Sequence, residues 1–288
     1  MIDTQVFAEH RRLLFDIAYR MTGSVADAED LVQDTWLRCR DVAADVDNPR
    51  AYLARTVTNL SLNHLTSARA RRESYLGPWL PEPVLTGRDA GQEVEAAESI
   101  SMAMLVVLET LTPQERAIFL LHDVFGYSHA EVASIVDKTE AAVRQTAARA
   151  RAHVEARRPR FDVDVRTREQ AVARFREACV GGDLNAMMEL LAPEVVCWSD
   201  GGGKITAAVR PIEGADHVAR WLLRVLAKPS VAGWGFDLAS INGEPGLVTT
   251  LNGQPAGAIA VEFYGDRIVG LRLQVNPDKL LGLSRRSE

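Results

Sequence analysis

Through roughly the first 158 residues, apolar side chains recur at intervals of three and four and glycine is sparse, so this stretch predicts a succession of amphipathic helices. Pro78, Pro81 and Pro83, with Gly77 and Gly87, break the pattern, because prolines at that density forbid a continuous helix. Beyond Arg160 the texture changes. Helical periodicity over Thr167–Val180 and Asp183–Leu191 gives way to short alternating runs, EVVCWSD, PGLVTTL and AGAIAVEFY. Asn242-Gly243, Asn252-Gly253 and Gly265-Asp266 punctuate those runs as hairpin turns do. The expected plan is a helical domain over 1–72, a linker over 73–96, a second helical domain over 97–160 and an α+β domain over 161–288 with a curved antiparallel sheet.

In the first domain, GSVADAEDLVQDTWLRCR places Ser24 at a helix start, with Asp27 and Glu29 near the positive end of the helix dipole. At 100° per residue Ala28, Leu31, Val32, Thr35, Trp36 and Cys39 share one face, leaving Asp30, Gln33, Asp34 and Leu37 on the other. An apolar Leu37 among exposed acids fits a partner-binding surface; a solvated acidic face with one stray leucine is the plain alternative. The next helix opens with Asn48 as cap and Pro49 at its first position. Leu53, Val57, Leu60 and His64 line its buried side, with His64 expected as a core histidine. Arg55, Asn59 and Asn63 form an outward stripe whose guanidinium and amide forks suit phosphates and base edges, and Arg69, Arg71 and Arg72 extend it with charge.

The second domain carries stronger punctuation. Thr112-Pro113 with Glu115 reads as cap, first-turn proline and acid, Gly126 as a helix stop, and Ser128 with Glu131 as a capping box. A turn at Asp137-Lys138 leads to a longer helix capped near Thr139, which is the helix-turn-helix order. On that last helix Val143, Ala147, Ala150 and Val154 face inward, so Arg144, Gln145, Ala148 and Arg149 point out toward a major groove. Arginine bonds guanine and glutamine bonds adenine in bidentate fashion, each good pair discriminating by roughly 1–3 kcal/mol. Arg151, Arg157 and Arg158 are expected on phosphate. A plain helical hairpin with a basic end is the alternative.

Charge alters this picture. The formal net charge of −6 is unlike a protein that holds DNA alone through a basic surface, so a DNA reader with this balance is expected to work inside a larger complex. Cys39, Cys179 and Cys197 lack the paired spacing of a zinc site or disulfide framework and are expected as buried thiols, with no metal and no cofactor. No apolar run approaches the roughly 20 residues that span a bilayer, and the polar start MIDTQVFAEHRR carries no secretory pattern, so the expected location is the cytoplasm.

DAEDLVQDTWLR followed by NPRAYLARTVTNLSLNHLTSARARR resembles region two of extracytoplasmic-function sigma factors, and AAVRQTAARAR resembles the recognition helix of their region four. The resemblance implies two all-α domains that bind core RNA polymerase, through its β and β′ subunits, and promoter DNA. It implies that Asp30, Gln33, Asp34 and Leu37 meet polymerase. The loop Asp41–Asn48 with Arg55, Asn59 and Asn63 would open the minus-ten element, and Thr139, Arg144, Gln145, Ala148 and Arg149 would read the minus-thirty-five element. Ala147 and Ala148 stand where many members carry larger residues, which leaves the preferred bases open.

Three further strings, Trp79–Pro83 (WLPEP), Asp200–Lys204 (DGGGK) and Asn276–Leu280 (NPDKL), resemble the signatures of the subgroup with a fused SnoaL-like domain, a cone of curved sheet and helices akin to nuclear transport factor folds. In that subgroup the extension is taken to replace a separate anti-sigma protein. Proline stiffens Trp79, Leu80, Pro81, Glu82 and Pro83 into an extended segment that loses little entropy on docking. The expectation is that Asp200, Gly201, Gly202, Gly203 and Lys204, with Asn276, Pro277, Asp278 and Lys279, contact it; a bare hairpin loop and a capped tail are the alternative. A cone-shaped sheet can also enclose a pocket, so a ligand sensor or an enzyme using Asp200, His217 and Glu262 is the rival reading. A stand-alone helix-turn-helix repressor is a third.

Overall fold

The computed structural model describes residues 2–40, 46–73, 75–86, 100–157, 164–228 and 233–283, with the side chains of 68–73 and 281 outside that description. The chain forms two units, one of Met1–Ser74 with Leu105–Arg158 and one of Tyr75–Met104 with Pro159–Glu288.

In the first unit, α1 (Thr4–Thr22), α2 (Val25–Cys39) and α3 (Pro49–Glu73) pack together, each start fixed by a side-chain cap. Asp3 accepts the Val6 N–H, Ser24 the Asp27 N–H and Asn48 the Ala51 N–H, satisfying donors that the first turn leaves orphaned. Gly23 ends α1 at φ 69°, a left-handed conformation that costs glycine no steric penalty. The face expected to be buried on α2 is buried at Ala28, Leu31, Val32, Thr35 and Cys39, with Trp36 half-buried against Phe7, ring centroids 5.0 Å apart.

Four more helices follow: α4 (Met102–Glu109), α5 (Pro113–Phe119), α6 (His129–Val136) and α7 (Glu140–Glu155). Both capping boxes form, Thr112 with Glu115 and Ser128 with Glu131, and those hydrogen bonds hold both carboxyls below their ordinary range. Asp137 turns the chain at φ 53° and Thr139 caps α7, while Val143, Ala147, Ala150 and Val154 are buried as the spacing predicts. The sequence predicts a regular helix up to Gly126, but its last part is a wider π turn over Leu120–Val124, where the Phe125 N–H reaches the Leu120 oxygen at 2.9 Å. Nothing in the apolar spacing distinguishes that turn from an ordinary one.

The two helical segments of this unit touch. Buried Arg116 donates to the Met21 carbonyl oxygen at 2.5 Å and to Glu109 at 2.7 Å. Arg20 lies 4.9 Å above the Phe125 ring and Arg50 lies 4.9 Å above the Tyr127 ring.

The second unit holds α8 (Val165–Gly181), α9 (Leu184–Leu190), α10 (Ala215–Leu226) and strands β1 (Leu191–Asp200), β2 (Ile212–Glu213), β3 (Trp234–Ile241), β4 (Glu244–Leu251), β5 (Gln254–Tyr264) and β6 (Arg267–Gln274). The strand order is β2-β1-β6-β5-β4-β3. One expectation is corrected: the sheet is mixed, because β1 and β6 run parallel while every other neighbouring pair is antiparallel. Alternation within a strand fixes its faces but carries no information on a neighbour's direction, and β1 reaches β6 through a long crossover. Asn242 and Asn252, at φ 52° and 54°, each precede a positive-φ glycine, and Gly265, at φ 60°, turns β5 into β6, so all three hairpin turns expected from the sequence form.

The helices cover one face of the sheet, with Val172, Phe175, Met187, Val218 and Leu222 packed on Cys197, Leu247, Ile259, Val261 and Leu271. Asp200, Gln274, Ala258 and Val248 stand in register across β1, β6, β5 and β4. Val248 and Ala258 pack with Ile241 and Leu283 in a separate apolar cluster, joined by Leu85 and Leu280 from outside the sheet.

Candidate functional site

Proline-rich backbone lacks N–H donors while keeping its carbonyls, so a docked WLPEP segment needs donors from elsewhere. The carboxy-terminal domain supplies them. Lys279 Nζ donates to the Leu80 oxygen at 2.8 Å, and Gln274 Nε2 reaches the Leu80 and Pro81 oxygens at 3.2 and 3.3 Å. Of the segment's own backbone donors, the Leu80 N–H meets Asp200 Oδ2 at 2.9 Å.

Asp200 is fully buried and is the hub of this clasp. Lys279 pairs with it at 2.8 Å, Tyr75 donates to it at 2.6 Å, and the Gly202 N–H does so at 3.0 Å. A buried carboxylate is tolerable only with such partners, since burial otherwise penalises its charge. The Lys279 ammonium also sits 4.1 Å above the Trp79 ring and 4.9 Å from that of Tyr75. Asn276 donates to the Tyr75 oxygen at 2.9 Å, and desolvation together with the Asp200 carboxylate holds the Tyr75 phenol well above its ordinary range.

The glycines of DGGGK have separate reasons. A side chain at Gly201 would strike the Ile205 oxygen at 2.3 Å, and one at Gly202 would strike Asn276 at 2.3 Å. Gly202 and Gly203 both adopt positive φ, 59° and 73°. Lys204 departs from the expected contact: it reaches Asp278 at 2.6 Å on the surface instead of the strap, since its side chain leaves the turn away from Asp200. Pro277 opens a short 3₁₀ turn, Pro277–Lys279, that aims Lys279 inward.

The strap continues beyond WLPEP. Glu82 and Pro83 are buried, and Leu85 bridges to Ile241 at the end of β3. The Thr86 N–H meets the Ser240 oxygen at 3.0 Å, the Asn242 N–H meets the Val84 oxygen at 2.8 Å, and Asn242 Oδ1 accepts from the Val84 N–H at 3.2 Å. Tyr75, Gln274, Thr86 and Asn242 are participants that sequence reasoning missed; only the aromatic beside Gly77-Pro78 could have drawn attention to Tyr75.

On the first unit, Asp30, Gln33, Asp34 and Leu37 are all exposed on α2, Leu37 by 45%. Arg55, Asn59 and Asn63 are exposed along α3, whereas Leu53, Val57 and Leu60 are buried. His64 is half-buried beside Asp27, at 3.3 Å, and so sits at the rim of the core. Residues 41–45 of the loop Asp41–Asn48, residues 87–96 of the linker, the side chains of Arg69, Arg71 and Arg72, and Arg158 lie outside the described residues.

On α7, Arg144, Gln145, Ala148 and Arg149 are exposed, as is the capping Thr139. Arg151, expected on phosphate, is ion-paired with Asp123 at 2.5 Å. The rival acid–base trio is divided among three networks: Asp200 in the clasp, His217 on the Glu213 carbonyl at 3.1 Å, and Glu262 with Arg272 at 2.5 Å, where Arg272 also lies 4.7 Å from the Trp198 ring. Among the described residues no group of three or more His, Cys, Asp or Glu is placed to hold a metal, and no helix is long and apolar enough to cross a membrane.

Comparison with known proteins gives matches along the whole chain. Residues 6–71 match the Sigma-70 region 2 family and residues 101–154 the Sigma-70, region 4 family. The chain is 40% identical, over 98% of its length and 94% of the relative's, to the ECF RNA polymerase sigma factor SigJ of Mycobacterium tuberculosis. It is 30% identical, over 94% of its length and 92% of the relative's, to the probable ECF RNA polymerase sigma factor SigI of the same organism. The crystal structure of the Mycobacterium tuberculosis extracytoplasmic function sigma factor SigJ superposes with a TM-score of 0.77 at 36% identity, covering 97% of this chain and 98% of that one.

Proposed function

The chain belongs to the extracytoplasmic-function RNA polymerase sigma factors, with a fused carboxy-terminal regulatory domain of SnoaL-like fold, and on that premise we propose how its surfaces divide the work. Asp30, Gln33, Asp34 and Leu37 dock on core polymerase, Leu37 supplying the apolar contact among charges that steer the encounter. Arg55, Asn59 and Asn63 engage the minus-ten element, and Arg144, Gln145, Ala148 and Arg149 the minus-thirty-five element. The outward placement of all these side chains supports the reading.

The carboxy-terminal domain regulates by holding the strap and not by turnover, and in the cytoplasm it takes the place of a separate anti-sigma protein. The observation that carries this is the buried Asp200–Lys279 pair closing on the strap backbone at Leu80. Tyr75, in the same clasp, follows the end of α3 by two residues along the chain. Run-off transcription with core polymerase tests the reading. Lys279→Met and Trp79→Ala are expected to change promoter output by several-fold while the chain stays folded. Output equal to the parent chain's, from folded variants, would remove the regulatory role.

A further inference from the structure

Glu140 and Arg144 lie one turn apart at the tip of α7, and the structure fastens them together, with Arg144 Nη2 donating to Glu140 Oε1 at 2.6 Å. Both are exposed, by 49% and 65%. A first-turn acid stabilises a helix through its dipole. Here the helix start is already fixed by Thr139, which accepts the Ala142 N–H at 3.2 Å, and by Val143 in the core. Glu140 is therefore a charged side chain at the end of the helix that recognition helices present to base edges.

We propose that Glu140 is a specificity-determining residue that reads a base jointly with Arg144; the inference rests on α7 being the minus-thirty-five reader. A carboxylate only accepts hydrogen bonds. In the major groove guanine O6 and N7 and thymine O4 are acceptors and repel it, whereas cytosine N4 is a donor. Adenine N6 is also a donor, but the adjacent N7 acceptor opposes the second carboxylate oxygen. Glu140 accordingly selects cytosine.

Arginine carries five N–H donors, and the bond to Glu140 occupies one. Two of the remainder can still meet guanine O6 and N7 side by side. The tether restricts where that fork points, so less side-chain freedom is lost on binding. It also keeps the acceptor and the donors within reach of the same or neighbouring base pairs, which are roughly 3.4 Å apart along the strand. The pair thus reads a cytosine set against, or next to, a guanine, and supplies a base preference that the small Ala147 and Ala148 do not.

The test is transcription by the full chain with core polymerase from a promoter library randomised across the minus-thirty-five element, with transcripts sequenced. The parent chain is expected to favour cytosine at one position and guanine opposite or beside it. Glu140→Gln should move the favoured base at the first position from cytosine toward adenine by roughly tenfold, because glutamine pairs with adenine N6 and N7, and should leave distant positions alone. Glu140→Ala should flatten that position. Uniformly weaker transcription with unchanged base preferences would overturn the inference, showing a helix stabiliser only. Absence of transcript from every template with the parent chain would overturn both the inference and the functional reading beneath it.

Discussion

Arg116 on α5 closes on the carbonyl oxygen of Met21 at the end of α1, and with it the two helical segments of the first unit form one body. Elements named for positions ten and thirty-five lie about 25 base pairs apart, roughly 85 Å at 3.4 Å each. A compact body of about 130 residues has a radius of gyration near 14 Å, so the closed unit cannot touch both elements together. Arg50→Ala, which removes the cation stacked on Tyr127 and leaves the core untouched, is expected to loosen the pairing. Core polymerase should then associate several-fold faster in stopped-flow measurements. An unchanged association rate would show that opening is not limiting.

Lys279 and Asp200 give a prediction about stability. Lys279→Met leaves a carboxylate buried without its cation and is expected to cost about 3–5 kcal/mol in thermal or urea unfolding. Replacing both, as Asp200→Asn with Lys279→Met, should recover part of that loss. Additive losses in this double-mutant cycle would mean that the two residues act independently.

The glycines of the turn are expected to rank. Gly202→Ala places a methyl group against Asn276 at 2.3 Å from a left-handed backbone, whereas Gly203→Ala meets nothing nearer than Leu76 at 3.5 Å. Gly203→Ala should cost about 1–2 kcal/mol of conformational strain. Gly202→Ala should cost more and, by displacing Asn276 from Tyr75, should alter transcription too. Melting temperatures in the reverse order would refute the assignment of Gly202 to close approach.

Desolvation pushes the Cys179 and Cys197 thiols up to about 12 from an ordinary 9.0. The folded state therefore holds these protons more tightly than the unfolded chain. Their contribution to stability is complete below pH 9 and declines as pH rises from 9 toward 12. Alkylation by a thiol reagent at pH 8 should be slow until the chain unfolds. Rapid labelling of all three cysteines under native conditions would contradict the burial.

Helix caps, the helix-turn-helix order and both Asn-Gly hairpins were legible because each depends on residues within four positions of one another, as at Thr112 with Glu115 or Asn242 with Gly243. The outward residues of α2, α3 and α7 followed from the same periodicity. What escaped depends on distance along the chain. The parallel β1–β6 pairing joins residues such as Asp200 and Gln274, and no local pattern encodes it. Gln274 and Tyr75 enter the clasp through tertiary placement alone. The inward course of Lys279 and the outward course of Lys204 are likewise set by where each turn leaves the sheet, which identical charges in the sequence do not tell apart.

Strand β3 stands at the end of the sheet, and the bonds from Val84 and Thr86 cap part of its free side. An open strand margin is a template on which another chain can add. Detaching the strap would bare both that margin and the apolar cluster of Ile241, Val248 and Ala258 that Leu85 joins. The detached form is then the sticky one: release of the strap makes self-association concentration-dependent, so the segment that closes on Asp200 also shields the sheet from a second copy.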